Sequence, residues 1–475
     1  MAGNSQHTRD GSDRVFLHRS ELAVSSDTLA AWHFRPGALQ RLLPPWQDVR
    51  ILRDGGPMRV GAETVLSVPL GPLRKAWRAR IEEAVPGRRF VDVQVSGPFG
   101  AWRHEHRFDA IEGAGNERST LSDEVTYRLP LAPFGDVGAG FARGSLDQLF
   151  RWRHWRTASD LRRHLEEGPG RPLVVLITGG SGLVGHQLAA FLRTGGHEVR
   201  TLVRREPDAE AGEFRWNPEA GSIDAAALEG VDAVVHLAGA GIADQRWTDE
   251  RMQVIRDSRI KGTTLLAETL AGLERPPAVL VSASAVGVYG NRTEPVDDTS
   301  EIGTGWLAEV AADWERAAEP ARAAGIRVVH PRIGIVLSPK GGALGKMLLP
   351  FRLGAGGRLG SGRQGMSWVG LDDLLGMLHR AVVDERLHGP FNATAPEPVT
   401  QMEFARVLAR VVRRPAIAPM PAFAARALFG RLADPLLLEG VEAHPSILES
   451  LDFRFEHRSL EACLRTLLDG LPPTD

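Results

Sequence analysis

The 475-residue chain carries 57 basic and 59 acidic residues, a formal net charge of −2, with 43% hydrophobic and 24% charged residues. Near-neutrality supplies no general field for nucleic acid or an anionic membrane, and the length holds two or three domains. The single cysteine, Cys463, excludes an intramolecular disulfide and any multi-cysteine metal site; its apolar helical surroundings make it a packing residue.

Met1 to Arg14 is polar, lacks the apolar core of a signal peptide and reads as a disordered start. No later run reaches the about 18 uninterrupted apolar residues of a membrane span, so a cytoplasmic protein is expected. Val15–Val24 reads as a strand. Ser25-Ser26-Asp27 then caps a helical pattern through Ala30, Ala31, Trp32, Leu39, Leu42 and Leu43, which Pro44-Pro45 ends. From about Val49 to Leu129, short alternating segments separated by turn signals at Asp54-Gly55-Gly56, Pro86-Gly87 and Glu112-Gly113-Ala114-Gly115-Asn116 predict an antiparallel sheet. Gly144–Leu165 predicts a long amphipathic helix before the linker Gly168-Pro169-Gly170, completing an α+β domain over residues 13–167. Within it Trp102, His104, His106 and Phe108 alternate and share a strand face. Two same-face histidines can bind a metal, but no third ligand stands nearby in sequence; the residues read as a half-buried aromatic face and no metal site is assigned.

Leu173–Ile177 is a β-branched apolar run that stops at Thr178-Gly179-Gly180-Ser181-Gly182-Leu183-Val184-Gly185, after which Leu188, Phe191 and Leu192 recur at helical spacing. Strand, tight loop and helix in that order predict a dinucleotide site. Gly180 permits the sharp turn, Gly182 lets backbone approach a pyrophosphate, and Gly185 lets the helix pack on the strand, with the helix N-terminus toward the phosphates. The next strand, His197–Arg205, ends in Arg204 and Arg205. Arginines there suit a 2′-phosphate, which favours NADP over NAD, although Glu206 just beyond leans toward NAD.

Strands at Val231–Val235, Val279–Ser282 and Arg327–Val329 alternate with helical spacers, predicting a doubly wound, Rossmann-type parallel α/β domain over residues 171–398. Residues 399–475 read as a small, mainly helical C-terminal domain. Gly354–Gly365, containing Arg358 and Arg363, reads as a Gly-rich basic loop beyond the carboxyl side of the sheet, either a flexible lid able to bring Arg363 to an anionic substrate group or merely a mobile loop.

The first domain resembles the START-like (SRPBCC, cyclase/dehydrase, helix-grip) ligand-binding domains, on its element order and the stretch Gly97-Pro98-Phe99…Trp102-x-His104-x-His106-x-Phe108. The resemblance implies a last helix closing a curved sheet over an apolar cavity. The rest resembles the extended, epimerase-like branch of the short-chain dehydrogenases/reductases, on the Gly-rich turn, His236-Leu237-Ala238-Gly239, Arg259-Ile260-Lys261-Gly262-Thr263, Ser282-Ala283-Ser284-Ala285-Val286-Gly287-Val288-Tyr289-Gly290, Pro331-Arg332 and Ser367-Trp368-Val369-Gly370-Leu371-Asp372-Asp373. Within that branch it is most similar to bacterial epimerase family proteins whose actinobacterial-type members carry an N-terminal START-like domain. The resemblance implies that His236–Gly239 line the adenine and ribose side, and that Ser282 and Arg332 stand near the cofactor.

One departure matters. The branch uses a Tyr-x-x-x-Lys pair for acid/base work, but the equivalent region is Trp306-Leu307-Ala308-Glu309-Val310-Ala311-Ala312-Asp313-Trp314, and the chain's two tyrosines are Tyr127 and Tyr289, the latter followed four residues on by Thr293. Gly370 also stands where many members have His or Tyr. Any catalysis must use another group: Tyr289, Ser284, Glu309 and Asp313 are candidates, each with an equally good structural role as turn packing, backbone hydrogen bonding or a solvated helix face. Two readings stay open. One is an NADP(H)-dependent oxidoreductase or epimerase-like enzyme with a nonstandard active site and a small-molecule, apolar or mixed-polarity substrate. The other is a non-catalytic NADP(H)-binding regulator or ligand-binding protein.

Overall fold

A computed structural model describes residues 3–10, 13–113, 117–130 and 139–473. The chain divides into two compact units, one running to Gly168 and taking in Arg193–Gly196 as well, the other comprising Pro169–Leu192 and His197–Asp469.

The first unit contains β1 (Asn4–Asp10), β2 (Asp13–Leu22), α1 (Ser26–Phe34), α2 (Ala38–Arg41), β3 (Arg50–Arg53), β4 (Glu63–Leu70), β5 (Leu73–Val85), β6 (Arg89–Ser96), β7 (Ala101–Ala110), β8 (Ser119–Arg128) and α3 (Ala139–Glu166). Its eight strands form one antiparallel sheet in the order β1-β2-β8-β7-β6-β5-β4-β3. Asn4–Asp10, expected to be disordered, pairs with β2 from Asn4↔Arg19 to Asp10↔Asp13. A polar sequence is tolerated there because an edge strand needs only backbone partners on one side. The single expected helix after Ser25 is two: Ser25 caps α1 by accepting from Thr28 N, but Pro36 and Gly37, which has φ 97°, break the pattern before α2. Of the expected turn at 112–116, Ala114-Gly115-Asn116 lies outside the described residues. The sheet face bearing the core is divided. One apolar cluster gathers Leu22, Leu29, Trp32, Phe90, Phe108, Leu121 and Leu161, and another Phe16, Trp102, Val125, Tyr127, Leu146 and Phe150.

The second unit begins with β9 (Val174–Thr178), α4 (Leu183–Thr194), β10 (Glu198–Val203), β11 (Glu213–Asn217), β12 (Ser222–Ile223) and β13 (Ala233–His236). It continues through α5 (Asp249–Ala271), β14 (Val279–Ser282), β15 (Ser284–Ala285), α6 (Trp306–Arg316), α7 (Glu319–Ala323), β16 (Arg327–Ile333), β17 (Ile335–Leu337) and α8 (Gly342–Arg352). The remaining elements are β18 (Gly365–Met366), β19 (Trp368–Gly370), α9 (Leu371–Val383), β20 (Gly389–Ala393), β21 (Val399–Thr400), α10 (Gln401–Val411), α11 (Ala422–Phe429), α12 (Ser446–Ser450) and α13 (Leu460–Asp469). Parallel pairing runs β11-β10-β9-β13-β14-β16-β20. The central strands are continuous buried apolar runs, as strands covered on both faces must be. Apolar clusters flank the sheet, one built on Leu188, Phe191, Leu374 and Leu378, the other on Leu266, Leu270, Ala321 and Val328. Strand order reverses between β9 and β13, which opens the crevice where doubly wound sheets bind ligands. Cys463 is buried with Phe404, Leu408 and Leu464.

Candidate functional site

The turn after β9 stands at that crevice, with Ser181 and Gly182 exposed at its mouth. In the sharp turn assigned to Gly180, the left-handed residue is Gly179, at φ 72°, where a Cβ would also stand 2.8 Å from the backbone of Leu237. Gly180 is needed for space, since a Cβ would lie 2.5 Å from Thr201 Cγ2, and Gly185 because a Cβ would lie 2.3 Å from Gly179 O. At Gly182 a Cβ would meet only Gly179 O, at 3.2 Å, so its outward face is open to a ligand. Leu183 and Val184 open α4 beyond it.

Thr178 and His236 hold this turn from beneath rather than face a ligand. Thr178 Oγ1 accepts from Leu237 N and Ala238 N, both at 3.2 Å, and lies 2.7 Å from His236 Nδ1. Its own proton must therefore point to Nδ1, which makes His236 the Nε2–H tautomer, donating to Thr263 Oγ1 at 2.9 Å. Thr263 also accepts from Trp314 Nε1 and donates to Arg259 O. Burial lowers the His236 pKa to about 4, so the ring is neutral at physiological pH. Gly239 follows, with Arg259 3.4 Å from where its Cβ would be.

At the end of β10, Arg205 pairs with Glu213 Oε1 at 2.5 Å and with Glu206 O. Arg204 is exposed and makes no side-chain hydrogen bond or ion pair among the described residues.

A second constellation lies at the carboxyl ends of β14 and β16. Ser284 pairs with Arg332 across β15 and β16 and donates to Glu315 Oε1 at 2.7 Å. Arg332 donates to the same carboxylate through Nε and Nη2, and through Nη1 to Tyr289 Oη at 3.0 Å. Tyr289 Oη also lies 2.8 Å from Asn392 Oδ1 and 3.0 Å from Asp297 O. Burial opposes ionisation of Glu315, but Arg332 and then Ser284 outweigh it and hold the carboxyl below its usual range. Burial raises the Tyr289 hydroxyl, which is fully enclosed. Ser282 is buried, its Oγ without a hydrogen-bond partner among the described residues.

The structure thus brings Ser284, Tyr289 and Arg332 together, with Glu315 as their carboxylate. Glu309 stands elsewhere, exposed near the start of α6. Asp313 forms ion pairs with Arg256 and Arg316. Glu315, Asn392 and Asp298, which accepts from Asn392 N and Ile447 N, escaped the sequence reading. No local signal marks the first, because the Ser284–Arg332 pairing that calls for an acid is set by the β15–β16 register. The loop Gly354–Gly365 is not a free lid. Gly360 N bonds Met420 O, Met420 N bonds Arg358 O, and the Gln401 amide accepts from Leu359 N and donates to Gly357 O. Arg363 is exposed upon this pinned loop.

Residues 175–392 match the NAD dependent epimerase/dehydratase family, and residues 420–467 match a domain of unknown function, DUF1731. Epimerase family protein MT2273 of Mycobacterium tuberculosis is 47% identical over 292 residues, covering 61% of this chain and 96% of the relative. Epimerase family protein SDR39U1 of Homo sapiens is 36% identical over 299 residues, covering 62% and 99%. Among solved structures, the nucleoside-diphosphate sugar epimerase from Corynebacterium glutamicum superposes with a TM-score of 0.78 at 32% identity, covering 95% of this chain and 90% of that one. Human SDR39U1 (isoform 2) with NADPH gives 0.58 at 33% identity, covering 63% and 100%. A Rossmann-type sheet, its Gly-rich turn and relatives matched over nearly their whole length agree: the chain belongs to the NAD dependent epimerase/dehydratase family, among its SDR39U1-like epimerase family proteins.

Proposed function

We propose that this chain is an NADP(H)-dependent oxidoreductase or epimerase-like enzyme in which Glu315, fixed by Ser284 and Arg332, does the acid/base work of the absent Tyr-x-x-x-Lys pair. The observation that carries this is the carboxylate itself: Glu315 is held ionised among buried partners and is the member of the constellation that meets solvent, with its side chain 13% exposed. A carboxylate so placed can accept a proton from a substrate hydroxyl at Oε2, which takes one hydrogen bond from Arg332 Nη2, while the Ser284 and Arg332 Nε donors at Oε1 keep its geometry. Tyr289, with its hydroxyl shared among Arg332, Asn392 and Asp297 O, positions Arg332.

The turn Thr178–Gly185 fits a dinucleotide: the outward side of Gly182 is open and a helix N-terminus follows. Arg204, uncommitted at the end of β10, suits the 2′-phosphate of NADP(H), and the NADPH in the human relative's structure supports that choice over NAD. Such a cofactor supplies hydride transfer. Leu237, Ala238 and Gly239 would border its adenine side, with Ser282 beneath.

We assign residues 13–167 as a START-like domain, 171–398 as the Rossmann domain and 399–475 as a C-terminal helical domain. The START-like assignment is supported by the long α3 following an antiparallel sheet, and it suggests a hydrophobic or mixed-polarity substrate. The Corynebacterium relative, a nucleoside-diphosphate sugar epimerase, adds nucleoside-diphosphate sugars to the substrates worth testing. The experiment is a screen of NADPH oxidation against carbonyls and enones, with epimerisation of nucleoside-diphosphate sugars in parallel. Turnover that falls about 10²–10⁴-fold in Glu315→Gln, with NADPH affinity intact, supports the reading. The closed hydrogen-bond set around Tyr289 favours one alternative, a non-catalytic NADP(H)-binding regulator, and tight NADPH binding with no turnover on any substrate would establish it.

A further inference from the structure

In the first unit, a strip of polar residues separates the two apolar clusters described above. Three neighbouring strands build it on one face. Asp92 of β6 is register-paired with His104 of β7, and His106 of β7 with Asp123 of β8. Directly opposed and diagonal residues of an antiparallel sheet are in reach of each other, so the strip is a consequence of register. His154 of α3 adds its Nε2 at 2.5 Å from Asp123 Oδ2. The third ligand that the sequence did not reveal near His104 and His106 is thus Asp92, brought in by strand pairing.

We propose that Asp92, His104 and His106 form a binding site for a divalent transition-metal ion of the zinc type. Their ligand atoms lie within 4.8 Å of one another. Asp92 Oδ2 stands 3.4 Å from His104 Nδ1 and 3.6 Å from His106 Nε2. Ligands about 2.0–2.1 Å from a tetrahedral ion are separated by about 3.3–3.4 Å, so little movement is needed to close on one. The outer nitrogens carry a second argument. Asp123 Oδ1 is hydrogen-bonded to His104 Nε2 at 2.8 Å, and His106 Nδ1 lies 2.7 Å from the same oxygen without hydrogen-bond geometry. A carboxylate bonded to the far nitrogen of His104 fixes its tautomer and ring direction, the arrangement that supports metal-binding histidines.

The rings of His104 and His106 have centroids only 3.8 Å apart, so both bring a ring nitrogen to the same small volume beside Asp92. Phe90 stacks on His106 at 4.0 Å, which gives the site an apolar wall. The Asp92 side chain is 19% exposed and provides the way in. Two imidazoles and one carboxylate leave a coordination position open to water or to a ligand with an oxygen donor.

The test uses the full chain, stripped with a chelator and titrated with Zn(II) by calorimetry and with Co(II) by visible absorption. One equivalent should bind, with Co(II) showing ligand-field bands of low coordination number. Asp92→Asn, which keeps the side-chain shape, should weaken Zn(II) by more than about a hundredfold, and Asp123→Asn by about tenfold to a hundredfold. NADPH affinity and the far-ultraviolet circular dichroism should not change. Zinc X-ray absorption of the wild type, which requires no variant to fold, should show two imidazoles in the first shell. A first shell without imidazole, binding unaffected by Asp92→Asn, or no stoichiometric binding by the folded wild type would each overturn the proposal.

Discussion

Arg332 grips Glu315 through two parallel hydrogen bonds, Nε to Oε1 at 2.9 Å and Nη2 to Oε2 at 3.0 Å. Both side chains are nearly buried, at 5% and 13% exposure. Removing one charge from such a pair leaves the other unpaired in a poorly solvated place, which costs about 3–5 kcal/mol. Glu315→Gln should lower unfolding free energy by about that amount in urea titrations, while Glu309→Gln, exposed on the same helix, should stay within about 0.5 kcal/mol of wild type. Equal effects would remove the distinction drawn between the two acids.

Tyr289→Phe separates positioning from catalysis. The hydroxyl meets Arg332, Asn392 and Asp297 O inside the protein, so its loss leaves polar groups short of partners and should cost about 1–3 kcal/mol of stability. Turnover on any substrate found should fall less than about tenfold, against the 10²–10⁴-fold expected when a general acid/base is lost. A fall in the larger range at unchanged NADPH affinity would return the proton-transfer role to Tyr289.

What the sequence made legible follows from how local the physics is. The strand, turn and helix at Leu173–Leu192 were readable because apolar period and glycine spacing act within a few residues. The β1 strand was not, because its partner in β2, rather than its own polar side chains, makes Asn4–Asp10 extended. The same limit hid both carboxylates that matter most. Glu315 reaches Ser284 across 31 residues of chain, and Asp92 reaches His104 only through the β6–β7 register. The loop at Gly354–Gly365 looked mobile because its glycines were visible, whereas its anchors, Met420 and Gln401, lie far along the chain.

Cofactor choice should rest on Arg204. Its guanidinium makes no hydrogen bond or ion pair among the described residues, whereas Arg205 is held by Glu213 and Glu206 O. Arg204→Asp should weaken NADPH by about 1.5–3 kcal/mol, roughly tenfold to a hundredfold, and leave NADH largely unchanged. Arg205→Ala should have a smaller effect. Calorimetric dissociation constants decide it, and equal wild-type affinity for the two cofactors would contradict the NADP assignment.

The loop at Gly354–Gly365 should behave as a tethered segment. Gln401 holds it by two bonds, Leu359 N to Oε1 at 2.8 Å and Nε2 to Gly357 O at 3.3 Å. The Leu359 amide should therefore exchange slowly with deuterium in the wild type, and Gln401→Ala should accelerate that exchange together with that of Gly360, whose amide bonds Met420 O. Fast exchange at both amides in the wild type would restore the flexible lid.

His236 should make the Rossmann unit acid-sensitive. Burial places its folded-state pKa near 4, below the ordinary 6.5, so folding holds the ring neutral while an unfolded chain takes up a proton. A group depressed in this way contributes its full stability above pH 6.5 and loses it progressively as the pH falls toward 4, a total on the order of 3 kcal/mol. The Nδ1 and Nε2 contacts explain the direction: protonating Nδ1 turns an acceptor for the Thr178 hydroxyl into a donor, and the hydroxyl that holds Leu237 and Ala238 must rotate. Unfolding free energy measured between pH 7 and 4 should therefore fall more steeply in the wild type than in His236→Gln, whose side chain does not titrate. NADPH affinity should weaken over the same interval, because the Gly-rich turn packs against Leu237. Identical pH slopes in the two proteins would show that His236 is not the group that couples protonation to folding.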